Sequence, residues 1–287
     1  MVTARALLLL ALVAGAAQAH VTVEQVTVPV KVLNVYGKET ERDIRVSLYY
    51  ESGAPKPYPL LVLNHGRSSK ATVRAAVTPK PYEAAARWLT GFGFLVAVPV
   101  RVGYGATGGD DVEDSGGCGN KQYPPVYLAS AAQTLAVLEM LRKRGDTAKD
   151  RAVVMGQSFG GTTALTIASQ MPVGVQGTIN FAGGGGGNPE DRPENPCGQA
   201  RLRELFAGYG KTARIPTLWI YSANDRYWGP KLPVEWFDAF RAAGGVGEYA
   251  GFPPVEGADG HLFFSRKSDL WRPRVQEFLK GLGYTRQ

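Results

Sequence analysis

Apolar and polar residues alternate near the start of the chain. Val26, Val28, Val30 and Val32 take every second position, and so do Ile44, Val46, Leu48 and Tyr50. A period of two predicts strands with one buried face, and the turn around Gly37 predicts that they pair antiparallel. The stretches 60–63 and 94–98 are unbroken apolar runs instead. Such runs predict strands covered on both sides. Between them, 82–89 is helix-compatible. A longer helix is predicted over 125–144, where Leu128, Ala131, Leu135, Leu138 and Leu141 recur at three- and four-residue spacing and Gly145 offers a cap.

Further along, 152–155, 175–181 and 217–221 read as strands. The stretches 234–243 and 270–279 read as amphipathic helices, carrying Trp236, Phe237 and Phe240 on one and Trp271, Val275, Phe278 and Leu279 on the other. Strands alternating with helices predict an α/β fold with a mostly parallel, doubly wound sheet, helices on both faces and an antiparallel N-terminal strand pair. No internal repeat interrupts it. Five consecutive glycines, Gly183 to Gly187, read as a flexible loop that opens an insertion at 183–210.

The strongest local motif is Gly156-Gln157-Ser158-Phe159-Gly160-Gly161. A four-residue apolar strand precedes it and a small-residue helix follows. The glycines permit a tight strand-to-helix turn with Ser158 exposed at its apex, and the helix N-terminus favours negative charge developing there. A serine nucleophile needs a base, and the base needs an orienting acid. The sequence holds three histidines. His20 lies near the start and His65 precedes the serine turn, so His261, in a loop near the C-terminus, is the expected base. Asp225, just after the strand 217–221, is the expected acid; Asp259 and Glu256 are the alternatives.

Composition narrows the chemistry further. Three histidines and two cysteines leave no ligand set for a zinc cluster, and no metal or cofactor is expected. Residues 1–19 combine Arg5, an apolar core and Ala17-Gln18-Ala19, which reads as a signal peptide for export to the periplasm or beyond. Residues 20–287 then form a single domain. In an oxidising compartment, Cys118 and Cys197 are expected to form a disulfide between two distant loops. The net charge of +7 is spread along the chain. No basic block suggests nucleic-acid binding, and no interior apolar run is long enough to span a membrane. Oligomeric state is not legible.

The order Ser158, Asp225, His261 on a doubly wound pattern resembles the α/β-hydrolase superfamily, in particular secreted serine esterases related to dienelactone hydrolase. More distantly it resembles peptidases of the prolyl-oligopeptidase kind. The resemblance implies hydrolysis of a small-molecule or polymeric ester; a compact peptidase or amidase and a non-catalytic binding protein are the alternatives. It also implies that the loop His65-Gly66-Arg67 helps form an oxyanion hole, with the backbone amides of Arg67 and Phe159 as donors. The Arg67 side chain is a candidate for meeting an anionic substrate. Tyr104, in a turn similar to the Arg-Gly-Tyr-Gly turn of related esterases, is a candidate to contact the acyl group. Trp228 either lines the crevice or covers the core. The acidic stretch 110–114 reads as a solvated loop or a cation site.

Overall fold

The structure, a computed structural model, describes residues 20–286. The expected signal peptide lies outside the described residues. Eight strands form one sheet: β1 (Val21–Leu33), β2 (Glu39–Glu51), β3 (Tyr58–Asn64), β4 (Leu95–Val100), β5 (Thr147–Gln157), β6 (Val175–Phe181), β7 (Thr217–Ser222) and β8 (Gly247–Phe252). Their order is β1-β2-β4-β3-β5-β6-β7-β8. β1 pairs antiparallel with β2, and β2 with β4; every other neighbour is parallel.

Helices cover both faces. α1 (Ala71–Ala75) and α2 (Lys80–Thr90) follow β3, and α3 (Tyr123–Arg142) follows β4. Beyond β5 come α4 (Phe159–Gln170), α5 (Gln199–Gly210), α6 (Leu232–Ala242), α7 (Phe263–Arg266) and α8 (Ser268–Gly281). The unbroken apolar runs now have their explanation. Leu60 and Val62 of β3 face a core shared with α3, α4, α5 and α6, whereas Leu61 and Leu63 face one shared with α2 and α8. Fully burying each such side chain contributes about 1.5–3 kcal/mol, so both faces must be apolar for both helix layers to hold.

Three expectations need correction, and one strand has no counterpart among them. α3 buries Ala131, Leu138 and Leu141 as expected, but Leu128 is exposed; the real face runs through Val126, Tyr127, Ser130, Thr134 and Val137. The hydrophobic pattern does not predict β8, because this edge strand is only half-buried and carries no β-branched residue. The stretch 183–210 is not all loop, since α5 occupies 199–210 with Leu202, Leu205 and Phe206 buried. Finally, the glycine run is not a flexible segment. Cβ atoms built on Gly184 and Gly185 would lie 2.7 Å from the Trp228 ring and 2.6 Å from the Tyr127 hydroxyl. Glycine is required there because aromatic rings pack directly on the backbone. Tyr127 and Tyr221 also donate to the Gly184 and Gly183 carbonyls at 2.8 and 2.7 Å.

This topology positions a crevice. The chain leaves β3 towards β4 on one side, then crosses back past β3 to β5 and continues to the other side. The loops after β3 and β5 therefore diverge at the carboxyl ends of adjacent strands, where open α/β sheets bind ligands.

Candidate active site

Ser158 stands between β5 and α4 with φ 57° and ψ −123°, a strained conformation for a residue with a Cβ. Packing enforces it. A Cβ on Gly156 would lie 2.1 Å from the Gly160 carbonyl oxygen, and one on Gly160 would lie 2.5 Å from that of Asn64. Only glycine lets the turn come this close to itself and to the end of β3. The Ser158 N–H donates to the Phe181 carbonyl at 2.8 Å, which locks the apex onto β6.

The expected partners converge on it. His261 Nε2 is 3.0 Å from Ser158 Oγ, and His261 Nδ1 is 2.9 Å from Asp225 Oδ2. The other Asp225 oxygen accepts the N–H groups of Tyr227 and Trp228 at 2.8 and 3.3 Å. Asp225 is wholly buried, so its charge is held by backbone dipoles on one side and the imidazole on the other. That fixes the His261 tautomer with its proton on Nδ1 and a lone pair on Nε2 facing the serine. Asp259, the alternative acid, instead ties the base loop to the acid loop. Its Oδ1 accepts the N–H groups of His261 and Arg226 at 2.9 and 3.0 Å. The side chains of Ser158, His261 and Asp225 form a Ser-His-Asp catalytic triad, the machinery of a serine hydrolase.

Two positioning residues carry no clear signal in the sequence. Tyr227 stacks on the His261 ring, with centroids 3.9 Å apart and planes 24° from parallel. Gln157 donates to the His261 carbonyl at 3.2 Å and accepts from the Tyr82 hydroxyl, also at 3.2 Å. Tyr82 in turn accepts the Gly66 N–H at 3.1 Å. One chain of hydrogen bonds thus joins the β3 loop, the nucleophile turn and the base loop. Only the adjacency of Gln157 to Ser158 hints at this.

His65 is buried and structural. Nδ1 lies 2.7 Å from the Gly66 carbonyl, and Nε2 accepts the Arg101 N–H at 3.2 Å. This pattern needs the neutral ring. Burial, reinforced by the Arg101 charge, holds its pKa well below the usual histidine value. Arg101 also donates to the His65 carbonyl at 2.9 Å, and its guanidinium pairs with Glu113 at 2.5 Å with both side chains fully buried. The acidic stretch is therefore neither a solvated loop nor a cation site throughout. Glu113 anchors Arg101, Asp111 pairs with Arg67 at 2.6 Å, and Asp110 pairs with Lys38 at the surface.

Tyr104 does not contact the crevice. Fully buried, it packs edge-on against His65 and donates to Glu113 at 2.6 Å. Burial and the Glu113 charge push its pKa well up, so it remains a phenol that can donate. For Trp228 the two alternatives coincide: it is buried, donates to the Ala182 carbonyl at 2.8 Å, and contributes to the cleft wall beside His261. Arg67 and Gly66 do border Ser158; a Cβ on Gly66 would lie 3.2 Å from Ser158 Cβ. The Gly66 N–H is already bound to Tyr82, so it is not a free donor. Cys118 and Cys197 form the expected disulfide, with Cα atoms 5.0 Å apart.

Comparison with known proteins agrees with this architecture. The family described as "Putative esterase" matches residues 37–184. No curated protein matches the sequence. Among solved structures, one described as a "Putative Dienelactone Hydrolase" from Klebsiella pneumoniae superposes with a TM-score of 0.58 at 15% identity, covering 91% of this chain and 99% of that one. A Pyrococcus furiosus esterase gives 0.54 at 15% identity over 88% and 89%. The acylaminoacyl peptidase of Pyrococcus horikoshii gives 0.59 at 15% identity, covering 93% of this chain but 42% of that longer one. At such identities the likeness concerns the fold alone, that of an α/β-hydrolase domain.

Proposed function

The chain belongs to the esterase family whose signature spans residues 37–184, and from that premise we propose that it hydrolyses carboxylic esters through an acyl-enzyme on Ser158. The observation that carries this reading is the triad geometry, 3.0 Å from Ser158 to His261 and 2.9 Å from His261 to Asp225. His261 Nε2 takes the Ser158 proton as Oγ bonds to the ester carbonyl carbon, and the displaced electron pair moves to the carbonyl oxygen. The backbone N–H groups of Arg67 and Phe159 receive that oxyanion, each contributing about 3–4 kcal/mol. In support, the Ser158 N–H is already committed to Phe181, so the next amide along, at the start of α4, is the one available. The tetrahedral adduct collapses, the carbon–oxygen bond to the alcohol breaks, and His261 gives that alcohol its proton. Water, deprotonated by the same imidazole, then bonds to the acyl carbon; the bond to Ser158 Oγ breaks, His261 returns the proton to that oxygen, and the acid leaves.

Residues 1–19 export the protein in this reading, and residues 20–287 act as one domain. The disulfide supports that assignment, because such bonds persist in oxidising compartments. The protein prepared from His20 should turn over a p-nitrophenyl alkanoate and carry a fluorophosphonate label on Ser158. Ser158→Ala should abolish both, and Asp225→Asn should lower kcat by about 10⁴-fold through loss of the correct tautomer. Faster cleavage of an aminoacyl p-nitroanilide than of the ester would replace this reading with an amidase.

A further inference from the structure

Two concavities meet at Ser158, and their linings differ. One contains His261 and the apolar side chains of Val73, Val77 and Pro81, and shares Arg67 and Tyr227 with the other. The other, about 200 Å³, runs between the disulfide and the glycine wall and includes Arg67, Lys121 and Arg192. Among the described residues, no aspartate or glutamate lines the second cleft.

The mechanism assigns the two sides. The leaving alcohol takes its proton from His261 Nε2, so it must lie on the side that contains His261. With the alcohol on that side, the second cleft, which Ser158 also lines, is the space left for the acyl chain.

The charges of that cleft are poorly compensated. Arg67 pairs with Asp111 at 2.6 Å. Among the described residues, Lys121 and Arg192 form no ion pair. The Lys121 ammonium donates to the Gly116 carbonyl. The Arg192 guanidinium lies against both sulfurs of the Cys118–Cys197 disulfide, and sulfur is a weak acceptor. Partial burial lowers the Lys121 pKa; Asp114 opposes the shift, while the Arg67 and Arg192 charges add to it. A bound anion would give Lys121 and Arg192 the charged partner that neither has among the described residues.

We propose that this cleft receives an acyl chain ending in a carboxylate, held by Lys121 and Arg192, so that the substrate is a half-ester of a dicarboxylic acid. The inference rests on the esterase reading. Hydrolysis would then yield the alcohol and a dicarboxylate, with water as the only co-reactant.

The test compares mono-p-nitrophenyl adipate with p-nitrophenyl hexanoate, its neutral counterpart of equal chain length. The native enzyme should favour the charged ester by about tenfold or more in kcat/KM, as a charged hydrogen bond implies. Lys121→Gln and Arg192→Gln should each bring that ratio down towards one. Lys121→Arg should retain it, and Lys121→Glu should invert it. Added salt should lower the ratio as well. Turnover of the hexanoate with a native ratio at or below one, or with a ratio that none of the substitutions moves, would overturn the inference and leave the esterase reading standing. Turnover of neither ester would overturn both.

Discussion

At the scale of single residues, the imidazoles show how surroundings decide chemistry. His261 has a carboxylate behind it and a hydroxyl in front, whereas His65 has a carbonyl on one nitrogen and a backbone N–H on the other. A second proton on His65 would break the bond from Arg101. Its folded pKa lies well below 6.5, so between that value and 6.5 the unfolded chain binds a proton that the folded chain does not. Stability from this site is therefore complete above pH 6.5 and is lost as the pH falls. Urea unfolding at pH 6.5 and 5.5 should show the native protein losing about 1 kcal/mol more than His65→Asn over that interval. Sequence order alone separates these two histidines, since only His261 follows the serine and an acid at a strand end. It cannot separate Tyr227 or Gln157 from ordinary neighbours, because stacking and hydrogen bonding across 34 or 104 positions leave no local pattern.

At the scale of elements, period and run length are faithful guides wherever burial is one-sided or complete. β1 to β5 are legible for that reason, and so is the turn that carries Ser158. Legibility fails where glycine has two meanings. A run of it reads as slack when nothing else is known, yet here it is the only residue small enough to pass under Tyr123, Tyr127 and Trp228. Gly185→Ala tests that account. Its Cβ would sit 2.6 Å from the Tyr127 hydroxyl oxygen and 2.7 Å from the Tyr123 ring. Overpacking of this kind costs about 1–3 kcal/mol. A lowered melting temperature together with reduced kcat/KM is expected; a melting temperature equal to or above the native one would show that the wall is loose.

At the scale of the whole molecule, the catalytic parts are spread unevenly along the chain. The family match ends at Gly184, so it takes in Ser158 and the loop after β3 but neither Asp225 nor His261. What unites the two halves is the sheet itself, with β5 and β7 separated by β6 alone and both ending at the crevice. Placing the acid after a strand is possible from sequence because a parallel sheet sends every strand's carboxyl end the same way. The buried Arg101–Glu113 pair is not foreseeable, since a carboxylate within an acidic stretch gives no sign of which member turns inward.

The other end of the sheet has a consequence for handling the protein at high concentration. β1 is thirteen residues long and, among the described residues, has a neighbouring strand on one side only. A bare strand of that length is a template on which a second molecule could add its own strand. Two residues in it discourage such growth. Pro29 has no N–H to offer an incoming strand, and the exposed Lys31, paired with Glu39 and Glu41 of β2, keeps a charged cluster at that edge that an apolar strand would have to desolvate. Replacing both with valine should leave each molecule folded while making it self-associate, seen as light scattering that rises with concentration. That outcome would give these two positions a part in keeping copies of the chain apart, separate from the chemistry at Ser158.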